Sequence, residues 1–240
     1  MTTLCIETAT EHGLVAIVRD DGSSAFARWR SASRHGENLF GYIERVLAEL
    51  GATREELSLI GVDTGPGRFT SLRVGLGTAK GLALGLQLPI VGVSSLRVLA
   101  RSIEADPSVV RVPIMNAYRG DVFAAAYRFR DGVVEEISAP QFGPPERVFA
   151  RIGALLDGNR IALGGEGVEP HAAAAQKAFG VAFDESVRGP EAPSPEAIAA
   201  EVREVYRTAG PSDLDSLEPQ YLRPSDAKLP TQEQRTGRPS

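Results

Sequence analysis

At 240 residues and 42% apolar composition the chain can bury a substantial core, sized for two modest domains or one large one. A formal charge of −5 argues against autonomous, high-affinity nucleic-acid binding, which draws on Lys and Arg to neutralise phosphates. The single cysteine, Cys5, cannot form an intrachain disulfide, no run approaches the roughly 20 apolar residues of a membrane span, and Met1-Thr2-Thr3 lacks the features of a signal peptide, so a cytoplasmic protein is expected.

In chain order, Thr3 to Thr8, Gly13 to Arg19 and Ser24 to Trp29 read as strands, with Asp20-Asp21-Gly22 as the hairpin turn between the last two. Leu39, Ile43, Val46, Leu47 and Leu50 recur at helical spacing, predicting a helix over Glu37 to Leu50 that Gly51 ends. Thr53 and Glu56 have the spacing of a capping box. A buried strand, Leu59 to Asp63, leads through Gly65-Pro66-Gly67 into a glycine-rich helix over Phe69 to Leu86, with Thr70 or Ser71 near its cap. Pro89 to Val93 is a further strand, and Ser94 or Ser95 caps a helix to about Ile103.

A second unit begins near Ala105-Asp106-Pro107. Strands are predicted at Val109 to Asn116, Val122 to Phe129 and Val133 to Ile137, with a turn at Asp131-Gly132. Helices over Pro145 to Leu156 and Glu169 to Phe179 flank a strand at Ile161-Ala162-Leu163. The repeated order of three strands followed by helices suggests a duplicated architecture, although no residue-level repeat is visible. Ser194, Pro195 and Glu196 then open a helix to about Tyr206. The expected division is residues 1–104, residues 105–222, and a disordered tail over 223–240 in which Pro, Gln, Lys and Arg dominate.

The glycine-rich helix carries the strongest energetic signal. Gly75, Gly77, Gly81 and Gly85 together cost on the order of 3 to 4 kcal/mol of helix propensity, a large share of a typical domain stability. Packing must offset that cost, and Gly77, Gly81 and Gly85 form one i, i+4 stripe that another helix could approach closely. The sequence leaves open whether the stripe meets a partner or packs inside the chain. The loop before it lacks both the Gly-x-x-x-x-Gly-Lys-Ser/Thr pattern and the third glycine of a dinucleotide turn, which favours a plain strand-turn-helix connection over a phosphate cradle.

The run Gly65-Pro66-Gly67-Arg68-Phe69-Thr70-Ser71-Leu72-Arg73-Val74-Gly75 resembles the GPGSFTGLRIG signature of the TsaB (YeaZ-like) family. Leu4-Cys5-Ile6-Glu7-Thr8-Ala9-Thr10, Arg34-His35-Gly36-Glu37-Asn38-Leu39, Asn116-Ala117-Tyr118-Arg119-Gly120-Asp121-Val122-Phe123 and Pro219-Gln220-Tyr221-Leu222-Arg223 resemble further segments of it. Arg68 and Ser71 stand where the family has Ser and Gly, Glu7 where it has Asp, and Asn116 and Tyr118 where it has Asp and Arg. The resemblance implies an α/β protein of two actin-like, hexokinase-like units with mixed sheets flanked by helices, the 195–206 helix returning to the first. It also implies a role in making threonylcarbamoyladenosine in tRNA. There the chain would pair with a TsaD-like transferase, meet a TsaE-like ATPase and tRNA only through that complex, or form a homodimer.

Catalytic groups are sparse. His12, His35 and His171 include no pair at helical metal-site spacing, and the His-x-x-x-His motif of TsaD is absent. No Gly-x-Ser-x-Gly elbow occurs. Glu7, Asp63 and Glu166 are either cleft carboxylates of an actin-like enzyme or ordinary strand-end and loop carboxylates, and His35 reads as an ordering residue before the first helix. No metal or cofactor is expected. The expected function is a non-catalytic partner subunit, against the alternative of an actin-like ATPase or kinase acting alone. The expected partner interface is Leu39, Ile43, Leu47, Val74, Gly77, Thr78, Gly81 and Gly85.

Overall fold

The computed structural model describes residues 1–30, 38–130, 133–180 and 183–222. The expectations for His35 and its neighbours, the Asp131-Gly132 turn and the tail beyond 222 fall outside these residues.

Five strands form the first sheet: β1 (Thr2–Glu7), β2 (His12–Arg19), β3 (Ser24–Arg30), β4 (Leu59–Gly65) and β5 (Ile90–Ser94), in spatial order β3-β2-β1-β4-β5. β1 pairs antiparallel with β2 and parallel with β4, which places Glu7 and Asp63 near the carboxyl ends of neighbouring strands. β1, β2 and β4 are near-continuous apolar runs because both faces of the sheet are covered. On one face lie helices α1 (Leu39–Leu50) and α2 (Phe69–Leu86), whose Ile43, Val46, Leu76 and Ala79 meet Leu4, Ile6, Val15 and Val62. On the other lies α6 (Pro195–Ala209), which packs Ile198 and Val202 on Cys5, Leu14, Ala16 and Leu59. Burial pushes the Cys5 thiol up to about 12, consistent with an inert core residue.

The second sheet repeats the plan. Strands β6 (Val110–Ala117), β7 (Asp121–Arg130), β8 (Val133–Gly143), β9 (Ile161–Gly164) and β10 (Phe183–Arg188) lie in the order β10-β9-β6-β7-β8. Its antiparallel and parallel pairings fall at the same places as in the first sheet. Helices α4 (Pro145–Leu156) and α5 (Ala172–Phe179) cover one face. Helix α3 (Ser95–Ser102) fills the space between the sheets, with Leu96, Leu99 and Ala100 against Met115, Phe123 and Tyr127, and Val98 in the cluster that carries α6. No helix among the described residues is long and apolar enough to cross a membrane.

Several local expectations change. β10 has no counterpart in the sequence reading, because Asp184, Glu185 and Ser186 interrupt its apolar run. α5 starts at Ala172 rather than Glu169. The N-cap of α2 falls on Arg68, not on Thr70 or Ser71, and no side chain caps it. Thr53 and Glu56 do not close a capping box; Glu56 instead pairs with Arg19 at 2.8 Å. Ser194 does cap α6, accepting from the Ala197 amide at 3.1 Å. Residues 211–222 lie against the first sheet: the Ser212 amide donates to Ile90 and the Gln220 amide to Thr64.

Candidate functional site

Two places gather the residues singled out above: the strand-end cleft around Glu7 and the outer face of α2. At the strand ends, Glu7 and Asp63 are both fully buried. Asp63 accepts from the Thr8 amide at 2.9 Å and from the Ser95 hydroxyl at 3.2 Å, so it ties β1 to the start of α3. Glu7 Oε1 accepts from the Ala9 amide at 2.9 Å, while Glu7 Oε2 has no hydrogen-bond partner among the described residues. Burial lifts the Asp63 carboxyl to about 7. Burial, then the charge of Asp63, lifts Glu7 well above the usual carboxylate range. At least one of the two therefore carries a proton near neutrality, and the pair is not a ready general base on an open surface.

The loop that follows β4 is packed against the chain itself. The Arg68 amide donates to the Ala9 carbonyl at 2.7 Å, and a β-carbon on Gly67 would stand 2.5 Å from that same oxygen. Only a residue without a side chain fits there, so the close approach of the Ala9 backbone accounts for Gly67. Arg68 and Tyr118, two of the departures from the family pattern, meet across the cleft with the guanidinium 5.7 Å from the ring centroid. Asn116, a third departure, donates to the Glu166 carbonyl at 3.3 Å.

The expected interface residues separate into three groups. Leu39, Ile43 and Leu47 are buried in the core of the first sheet, so they are unavailable to a partner. Their i, i+4 spacing is that of an inward face. Val74 and Thr78 are half-buried, and Val74 packs against the same core. Gly77, Gly81 and Gly85 are exposed, and a β-carbon on any of them would meet nothing within 4 Å among the described residues. The stripe therefore faces away from all the described residues of the chain. Apolar side chains missed by the sequence reading flank it or lie on the neighbouring helix: Leu84 is 70% exposed and Phe40 58%. Phe40 follows Leu39 directly, so its helical phase marks it as outward-facing.

At the amino end of α2, Phe69 packs against Tyr221 with the rings tilted by 31° and their centroids 4.9 Å apart. Arg73 lies 3.8 Å above the Phe69 ring and donates to the Tyr221 hydroxyl at 2.9 Å. This group anchors residues 211–222 onto α2. Lys80 does the same lower down, donating to the Leu217 carbonyl at 3.2 Å.

The family model for TsaD, tRNA N6-adenosine threonylcarbamoyltransferase, matches residues 30–211. The chain is 31% identical over 167 residues to the tRNA threonylcarbamoyladenosine biosynthesis protein TsaB of Escherichia coli, covering 68% of this chain and 71% of the relative. It is 31% identical over 141 residues to the TsaB protein of Bacillus subtilis, covering 59% and 61% respectively. The crystal structure of a Pseudomonas aeruginosa protein with similarity to peptidase YEAZ superposes with a TM-score of 0.76 at 23% identity, covering 92% of this chain and 99% of that one. That likeness establishes a shared fold.

Proposed function

Because the chain belongs to the TsaB (YeaZ-like) family of tRNA threonylcarbamoyladenosine biosynthesis proteins, we propose that it is the partner subunit of a TsaD-type threonylcarbamoyltransferase and supplies no catalytic group itself. The observation that carries this reading is the outer face of α2, where Gly77, Gly81 and Gly85 leave the backbone uncovered beside exposed Leu84. Such a face admits a second helix at about 8 Å, the short end of interaxial distances, and contact there offsets the low helix propensity of the glycines. The exposed Phe40 of α1 supplies an apolar knob on the neighbouring helix. A second copy of the chain could use the same face as a homodimer, in competition with the transferase. The TsaE-like ATPase and tRNA would join through the transferase, in keeping with the net charge of −5. The place of work would be the cytoplasm.

Gly81→Leu tests the reading. A side chain at this position points into open space and raises helix propensity, so the fold is expected to survive with an unchanged or higher melting temperature. Sedimentation with the purified transferase is expected to show lost pairing. Retained pairing with an intact fold would overturn the assignment of this face.

A further inference from the structure

We propose that Glu11, His12 and Glu166 form a divalent-cation site of zinc-like chemistry that bridges the two sheets, an inference independent of the partner-subunit reading. Ligand atoms of the three side chains all lie within 4.8 Å of one another, and His12 Nε2 stands 3.9 Å from Glu11 Oε1. Two carboxylates and an imidazole form a set that suits Zn²⁺ and its spectroscopic substitute Co²⁺. All three residues are half-buried, so the ligands are shielded but reachable.

Each half of the site is held by its own sheet. Thr10 braces the turn carrying Glu11 and His12, its hydroxyl accepting from the His12 amide at 3.1 Å. Glu166 follows β9 in a loop fixed to the second sheet. There the Gly165 amide donates to Pro190 at 2.8 Å and the Gly167 amide to Ile114 at 3.0 Å. Gly165 has φ +110°, and a β-carbon there would stand 2.1 Å from the Ile114 carbonyl oxygen, so the loop has little room to take another course.

Two arginines already supply positive charge here: Arg30, whose Nε and Nη2 lie 3.0 and 2.6 Å from Glu11 Oε1, and Arg68, whose charge acts on both Glu11 and Glu166. Binding a metal through that oxygen requires Arg30 to yield it. Metal–ligand bonds of about 2.0–2.2 Å in a tetrahedral set also require His12 Nε2 and Glu11 Oε1 to draw closer than their 3.9 Å separation.

The experiment uses the full chain purified without a polyhistidine tag, titrated with Co²⁺ followed by its visible absorption and with Zn²⁺ by calorimetry. One ion per chain is expected, with a rise in melting temperature on Zn²⁺ addition. His12→Ala and Glu166→Gln are each expected to weaken binding by about tenfold or more, while Arg30→Ala tightens it and His171→Ala leaves it unchanged. Circular dichroism of each apo variant reports whether it is folded, and either ligand variant alone suffices for the comparison. Absence of saturable binding, or binding unchanged in a folded His12→Ala or Glu166→Gln chain, would overturn the site.

Discussion

Gly75 lies against Thr8: a β-carbon at Gly75 would stand 2.2 Å from the Thr8 hydroxyl oxygen, which donates to the Ser71 carbonyl at 3.0 Å. This contact sets α2 on the end of β1, and it separates Gly75 from the three glycines of the outer stripe. Gly75→Ala is therefore expected to destabilise the chain by about 1–3 kcal/mol through overpacking. Gly77→Ala, Gly81→Ala and Gly85→Ala are each expected to stabilise it by about 0.5–1 kcal/mol. Denaturant unfolding of the four variants measures both signs. Thr8→Ala added to Gly75→Ala should recover part of the loss, and additive effects of the two changes would show that the contact is not what limits Gly75.

The buried carboxyls predict a pH dependence opposite to that of a salt-bridged acid. Asp63 titrates near 4 when unfolded and at about 7 when folded, and between those values the folded chain holds a proton that the unfolded chain has released. Its stabilising contribution is complete below about pH 4 and is lost as the pH rises through about 7. Glu7, raised by burial and by Asp63, acts in the same direction, as does Glu166, which burial lifts to about 7. Glu11, lowered mainly by its hydrogen bond from Arg30, has the opposite sign, but its effect lies below about pH 5. Arg28, whose charge also reaches Glu7, stays cationic throughout. Glu7→Gln keeps the acceptor for the Ala9 amide and removes the buried acid. It is expected to flatten the fall in stability between pH 5 and 7.5 and to be more stable than wild type at pH 8. Unfolding midpoints in guanidinium chloride at stepped pH would detect this, and a wild-type stability that rises through the same window would contradict it.

Glu201 joins α6 to α3 from a nearly dry position. It is 1% exposed, with Arg97 Nε at 2.7 Å and Arg101 Nη2 at 2.9 Å. Glu201→Ala would leave two arginines beside a buried surface and is expected to cost about 3 kcal/mol. Glu204 contacts the same arginines from a more exposed position, and Glu204→Ala is expected to cost under about 1 kcal/mol. Comparable losses in the two variants would show that burial does not set the difference.

The isolated chain is expected neither to hydrolyse ATP above background with magnesium nor to shift tRNA in a gel at physiological salt. Steady ATP turnover that disappears on substitution of Glu7 or Asp63 would favour the actin-like enzyme instead. Tight tRNA binding abolished by removing residues 225–240 would assign the RNA contact to that basic segment.

Much of the framework follows from periodicity alone. Ile43, Val46 and Leu47 specify a helix with one inward face, Gly51 adopts the left-handed conformation that ends it at φ +60°, and the β1, β2 and β4 runs are apolar on both sides because both are covered. The mixed order of strands and helices likewise anticipates the duplicated sheets. These features are local: each depends on residues a few positions apart. What a helical stripe faces, by contrast, depends on everything that packs around it. Leu39 and Gly81 both lie on regular helical stripes, yet one is covered by the chain's own sheet and the other is open, and only the arrangement of α1 and α2 over β1–β5 decides which. The partnership of Arg68 with Tyr118, and of Glu11 and His12 with Glu166, belongs to the same class. Each pair or set joins residues from separate segments, and spacing along the chain contains no information about a distance that closes only when the two sheets pack around α3.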